Sequence, residues 1–263
     1  MRNAGTVKFP TSPPANEASG LERILVNPAP VWAGRTKVRN ASRHAGAPVT
    51  ALLYERVVHV PSQTVYSRTV QRLETPQAVQ QLSRVEIPFD PEVQILTIHS
   101  IGIFRNGNIT NHARIEDFEI IRREQRLDDG ILNGELSALL ILKDVRSGDI
   151  LDVEFSVTDD KGLFGDRSSW LQAAGYASPV GDWRFVWVDE DGLVPRISKV
   201  PDHLTYAEQG SEGLVSRIWT ASDIPEAKPD DNLPPEIFPI PVLQLSTFGS
   251  WAEIVERLLG RWD

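Results

Sequence analysis

The chain has 263 residues, 41% of them hydrophobic, with a formal net charge of −9, which is enough apolar content for one large β domain or two smaller ones. A pI near 5.1 leaves no basic footprint and excludes the counterion-release affinity on which nucleic-acid binders depend. Zero cysteine excludes disulfides, thiolate metal sites and a cysteine nucleophile within this chain.

Residues 1–20 carry Pro10, Pro13 and Pro14 among small polar residues, a composition that cannot bury enough apolar surface to offset ordering, so a disordered tail is expected. No charged n-region leads into an apolar h-region, and no later run is apolar for long enough to span a bilayer. The sequence as it stands reads as cytoplasmic, or as starting downstream of the true N-terminus. Residues 21–222 are expected to form the folded body. Leu21 to Val31 allows a short helix or an extended lead-in, and the prolines of Asn27-Pro28-Ala29-Pro30 favour extension. Leu52 to Val60 and Thr64 to Leu73 read as two strands that do not alternate cleanly, separated by Pro61-Ser62-Gln63. Thr75 to Arg84, rich in Gln and Ala, predicts a helical turn before Val85, Ile87 and Phe89 alternate into Asp90-Pro91.

The stretch Ile87 to Thr158 is where strand patterning and turn chemistry agree best. Ile95 to Phe104 is almost continuously apolar, and the Asn106-Gly107 pair after it is a strong type I′ hairpin signal. Phe118 to Glu124 predicts another strand, with Asp128-Asp129-Gly130 as a turn. Leu139 to Leu142 is interrupted by Val145-Arg146-Ser147-Gly148-Asp149, where Gly148 supplies the positive φ of a tight reversal. Leu151, Val153, Phe155 and Val157 then alternate with Asp152, Glu154, Ser156 and Thr158, placing one face in a core and the other in water. The two runs are expected to form a hairpin, and the whole stretch an antiparallel meander.

After Asp159-Asp160-Lys161-Gly162, Leu163 to Gly181 reads as a long loop carrying Trp170 and Tyr176, and long loops in compact domains are often functional. Trp183, Phe185 and Trp187 share one strand face, expected to be the inner face of a sandwich. Asp189-Glu190-Asp191-Gly192 has the chemistry of a hairpin turn and lacks the closing Glu of a calcium loop. Val215 to Thr220 predicts a further strand. Residues 223–241, acidic and rich in proline, read as a surface connector. Residues 242–263 are expected to hold a last strand and an amphipathic helix with a Ser250-x-x-Glu253 capping box. Its apolar residues Trp251, Ile254, Val255, Leu258, Leu259 and Trp262 recur at helical spacing and mark a candidate interface, for a partner domain or for self-association.

Few residues carry a chemical signature. His44, His59, His99, His112 and His203 show neither zinc-ligand spacing nor adjacent cysteine, and His99 in an apolar strand is expected to be a satisfied core histidine. No phosphate loop and no nucleophile elbow occurs, so no metal and no cofactor is expected. Asp117, Glu119, Glu124, Asp128 and Asp129 supply the residue type for paired-carboxylate hydrolysis, which needs a separation of about 5 to 10 Å; strand and turn carboxylates are more often solvated or ion-paired.

In chain order, Leu53-Tyr54-Glu55-Arg56, Phe89-Asp90-Pro91, Leu96-Thr97-Ile98-His99, Arg105-Asn106-Gly107, Arg123-Glu124, Asp144 to Asp149 and Leu245 to Trp251 resemble a family of bacterial extracellular-type domains of unknown function. That family typically precedes a transglutaminase-like, papain-fold domain, and the resemblance covers roughly Leu25 to Leu259. It implies an all-β fold, an antiparallel β-sandwich of many strands with a short C-terminal helix, no catalysis of its own, and a periplasmic or secreted setting. The catalytic domain with its Cys, His and Asp is absent from this chain. The resemblance falls on Arg105, Arg123, Glu124, Arg146 and Asp149, which are candidate binding residues or, more simply, Arg–carboxylate forks bracing turns. Together with Trp170 and Tyr176 they complete the candidate set. The expected role is a non-catalytic accessory module contacting a partner domain or a peptide-like substrate; a free-standing carbohydrate- or peptide-binding module is the first alternative and a hydrolase the second.

Overall fold

The computed structural model describes residues 20–39, 46–122, 136–160, 167–190, 194–198, 200–227 and 240–259. In chain order these form strands β1 (Ile24–Val26), β2 (Val49–His59) and β3 (Thr64–Leu73), helix α1 (Pro76–Leu82), then β4 (Arg84–Phe89), β5 (Gln94–Arg105), β6 (Asn108–Asn111), β7 (Glu119–Arg122) and β8 (Leu136–Ile141). The second half holds β9 (Ile150–Asp159), β10 (Ser169–Ala173), β11 (Val180–Glu190), β12 (Arg196–Ser198), β13 (Thr205–Ser211), β14 (Leu214–Ile224), β15 (Val242–Ser246) and helix α2 (Trp251–Leu259). The all-β class is therefore the observed one.

The strands form one broad sheet in the order β1-β5-β9-β3-β2-β11-β14-β13, with β6 also on β5, and two three-stranded sheets, β4-β8-β7 and β10-β15-β12. Alternation along β2, β3, β5, β9, β11 and β14 turns one face of the broad sheet toward both small sheets. Ile98, Ile101 and Ile103 of β5 and Leu151 of β9 pack with Val85, Ile87, Phe89 and Leu140 of the first small sheet. Trp183, Phe185, Trp187 and Trp219 pack with Leu243 and Leu245 of the second. Each such side chain contributes roughly 1.5–3 kcal/mol on burial, so the aromatic stripe expected from residues 183–187 is a main source of stability in its half of the core.

Four expectations are corrected. The sheet is not wholly antiparallel, since β1 pairs with β5 and β2 with β11 in parallel. The runs around Leu139 and Leu151 are not a hairpin: β8 joins β4 and β7, whereas β9 lies between β3 and β5. The chain changes sheet across the eight-residue connection Leu142 to Asp149, which carries Asp144 at φ 57° and Gly148 at φ 91°. The strand after the expected Asp189 to Gly192 turn, β12, pairs with β15 and not with β11, so the two do not form a hairpin, and Asp191 and Gly192 lie outside the described residues. The polar side of β9 is not in water either, for Asp152, Glu154 and Ser156 are all buried.

That last difference has a definite cause. The segment after a short 3-10 turn at Val31–Ala33 crosses the second face of the broad sheet and closes an ionic layer beneath it. Arg68 forks onto Asp152 at 3.0 and 2.8 Å and donates to the Thr36 carbonyl at 2.8 Å. Arg35 lies 3.3 Å from Glu154, Tyr66 donates to Glu154 at 2.7 Å, and Arg184 meets Glu55 at 2.8 Å. Trp32 stacks on His59 at 4.6 Å. The central strands are thus covered on both sides, one side by apolar packing and the other by charge pairs.

Among the expected turns, Asn106 and Gly107 adopt φ 51° and 81° and join β5 to β6 with Arg105 opposite Asn108, the geometry of a type I′ hairpin. Thr75 caps α1 by accepting from the Ala78 N–H at 3.2 Å.

Candidate functional site

The two small sheets leave the middle of the shared face of the broad sheet open, and a groove of about 490 Å³ runs there, within the range of small-molecule and peptide sites. Its floor is made by Arg56 and Val58 of β2, Val65 and Ser67 of β3, and Phe155 and Val157 of β9. Pro88 and Phe89 at the end of β4 form one wall; Ser168, Ser169 and Trp170, leading into β10, form the other. Strand alternation alone places these side chains together, because Arg56 pairs in register with Ser67 and Ser67 with Phe155.

Arg56 is the group that sets the chemistry. Its Nε donates to Ser67 Oγ at 3.2 Å, and its guanidinium carbon sits 5.5 Å from the Trp170 ring centre in a cation–π contact. Among the described residues no carboxylate pairs with it. Burial pushes its pKa below the ordinary arginine value, opposed only by the nearby Tyr176. Other part-buried and buried arginines of the broad sheet are neutralised, among them Arg68 by Asp152 at 2.8 Å, Arg184 by Glu55 at 2.8 Å and Arg217 by Asp189 at 2.5 Å. Beside Arg56, Tyr176 stacks on Tyr54 at 4.3 Å, and its hydroxyl donates to the Ala173 carbonyl and accepts from Trp183 Nε1. Burial raises the pKa of both tyrosines, so they present neutral phenols.

A second concavity, of about 570 Å³, opens beside the β5–β6 turn and is lined by Arg72, Arg105, Arg146 and Asp149. Its charges are already paired. Arg105 forks onto Asp149 with two bonds of 2.7 Å and reaches Asp144 at 3.0 Å, Arg146 binds Asp144 at 2.7 Å, and the Arg146 N–H donates to Asp149 at 2.7 Å. Hydrogen bonds from these arginines hold both carboxyls below their ordinary values, led by Arg146 for Asp144 and by Arg105 for Asp149. The cluster braces a turn with positive φ at Asp144 and Gly148.

A family profile, DUF3857, described as a domain of unknown function with a solved structure, matches residues 60–228, more than half of the chain. The chain belongs to the DUF3857 family. No curated protein matches the sequence. Among solved structures, the DUF3857 chain is similar to a "putative protease" from Parabacteroides distasonis, with a TM-score of 0.66 and 18% sequence identity; the match covers 77% of this chain and 41% of that one. At that identity the likeness shows a shared fold, and the chain spans less than half the length of that neighbour.

Within this DUF3857 fold the residues marked in the sequence separate into three places. Trp170 lines the groove from β10, which pairs with β15, rather than from an open loop, whereas Tyr176 does not line it and is held against the core by hydrogen bonds to Ala173, Gln172 and Trp183. Arg105, Arg146 and Asp149 form the turn brace; Arg123 and Glu124 lie outside the described residues. Trp251, Ile254, Val255, Leu258 and Leu259 lie on α2, and Trp262 lies outside the described residues. No residue of α2 is buried, and Trp251 and Leu259 are 81% and 62% exposed. The helix starts as its sequence suggests, with Ser250 accepting from the Glu253 N–H at 3.2 Å and Arg167 pairing with Glu253 at 2.8 Å. Asp117 and Glu119 are both exposed and line no part of the groove, while Glu124, Asp128 and Asp129 lie outside the described residues. His99 bonds the Asn27 carbonyl at 2.8 Å and Ser156 Oγ at 2.9 Å. Arg56 stands in the Leu53 to Arg56 stretch that carries the family resemblance and is a charge inside an apolar strand, but neither signal marks it as a site residue. Its neighbour Glu55 points to the opposite face, and that adjacent pair in Leu52 to Val60 is the readable trace of a strand covered on both sides.

Proposed function

We propose that this chain is a non-catalytic accessory module that binds a peptide-like segment in the groove between its two small sheets. The observation that carries the reading is the lining of that groove: Val58, Val65, Phe89, Phe155, Val157 and Trp170 beside Arg56, which pairs with no carboxylate among the described residues, with His59, Asp159 and Arg167 also on the lining. Pockets of this kind bind by burying apolar groups and orient the ligand with a few polar ones. An extended peptide fits a groove that runs between strands better than a sugar does, because both walls offer strand-edge backbone and apolar side chains. The chain also lacks the thiol that acyl transfer in a transglutaminase-like enzyme requires. In this reading such chemistry belongs to a partner domain, and the module holds the partner's substrate or the partner itself.

The exposed apolar side of α2 is the surface proposed for that partner contact. Support comes from the neighbour in which the same fold makes up 41% of a longer chain. The test is calorimetric titration of the chain with N-acetyl-Ala-Phe-Leu, beside a variant in which Val65→Trp fills the groove. Saturable binding that the filled variant loses, with the peptide recovered intact, is the expected result. Binding unchanged by Val65→Trp refutes the site, and hydrolysis that survives purification refutes the non-catalytic role.

A further inference from the structure

The ligand chemistry of the groove can be read from Arg56, and the inference rests on the peptide-binding reading above. A guanidinium offers five N–H donors in a planar fork; one of these is used, by Ser67 at 3.2 Å. The Trp170 contact at 5.5 Å meets the π face of the cation and leaves its in-plane donors free. A desolvated charge without a counter-charge is costly to keep in a fold, and among the described residues carboxylates pair with Arg68, Arg184 and Arg217 while none pairs with Arg56. The missing group is therefore an anion that matches the fork bidentately, and a carboxylate does so. The same lining holds Val65, Phe89 and Phe155 with one carboxylate, Asp159, and a second arginine, Arg167, that is paired with Glu253, which favours a single carboxylate next to an apolar group rather than a polyanion.

We propose that Arg56 anchors a peptide carboxylate, with the adjoining apolar side chain of the peptide lying against Trp170 and the β3–β9 floor. A C-terminal carboxylate and the side chain of an acidic residue present the same chemistry, so three probes separate them: N-acetyl-Ala-Leu, its C-terminal amide, and the amide of N-acetyl-Asp-Leu. Each is titrated into the chain while the indole N–H resonance of Trp170, assigned with Trp170→Phe, is followed. The amide without a carboxylate is expected to bind at least about tenfold more weakly than the better of the two acids, as loss of a charge-assisted pair dictates; the tighter acid identifies the source. Arg56→Gln removes the preference for the acid, and Arg56→Lys, which keeps the charge but not the fork, retains part of it. Thermal melting confirms that each variant is folded. Equal binding of all three probes overturns the anchor and leaves the groove as a peptide site. Binding of none overturns both readings. A preference for the acid that persists in Arg56→Gln also overturns the anchor.

Discussion

Replacing Arg217 by Met should unbalance the most deeply buried charge pair among the described residues. Arg217 Nη1 lies 2.5 Å from Asp189 Oδ1; Asp189 is 0% exposed, and its other oxygen accepts from Trp187 Nε1 at 2.8 Å. Methionine keeps most of the apolar volume, so the main effect is a buried carboxylate stripped of its cation, a loss of about 3–5 kcal/mol. For a chain of this size that lowers the melting midpoint by roughly 6–20 °C. Restoring neutrality with Arg217→Met/Asp189→Asn keeps an acceptor for Trp187 and should recover most of the loss, since uncharged substitutes for buried pairs are often neutral. Burial already raises the Asp189 carboxyl above its ordinary 3.8, so the penalty of ionising it is absent below that value and grows as pH rises through the folded pKa. The deficit of Arg217→Met should therefore shrink as pH falls from 7 toward 4. Urea unfolding followed by tryptophan fluorescence measures it. If the single and double variants are destabilised equally, or the deficit does not change with pH, packing rather than charge carries the effect.

Three further outcomes are expected. Arg105→Gln should destabilise the β5–β6 corner most at neutral pH. Asp149, held low by Arg105, stabilises the fold above its ordinary 3.8, and this contribution is lost as pH falls below it, so wild type and variant converge in acid; a gap independent of pH contradicts the assignment. Arg56→Met should raise the melting midpoint by about 2–4 °C, the shift for roughly 1 kcal/mol gained by removing an uncompensated charge, and a fall would mean that its Ser67 and Trp170 contacts outweigh desolvation. Trp251→Ser should change stability by no more than about 0.5 kcal/mol, as for an exposed site, while reducing any self-association seen by light scattering; a loss above 2 kcal/mol would place α2 in the chain's own core.

The elements easiest to read were those with one buried side or a demanding turn. β9 announces its apolar face through Leu151, Val153, Phe155 and Val157, and Asn106-Gly107 fixes its hairpin because both residues tolerate positive φ. Strand pairing was less legible. Local pattern marks where a strand runs but not which neighbour it takes, so the change of sheet between β8 and β9 and the parallel pairing of β2 with β11 had no local signature. β2 and β3 alternate poorly because both of their faces are covered, and the polar side of β9 looked solvated because its covering segment is more than a hundred residues away. β13 was missed: it is an exposed strand from Thr205 to Ser211 with no apolar alternation, joined to β14 by Glu212 and Gly213 at φ 53° and 80°. The groove escaped for the same reason as the pairing, since Arg56, Ser67, Phe155 and Trp170 meet only through register between distant strands.

The most direct test of the groove as the binding site is photocrosslinking with a short peptide acid carrying a photoreactive leucine, with the attachment points mapped by mass spectrometry. Attachment at Val65, Phe155 or Trp170, competed away by the unlabelled acid, is the outcome expected here. Attachment confined to α2 or to the face covered by residues 34–39 would contradict it.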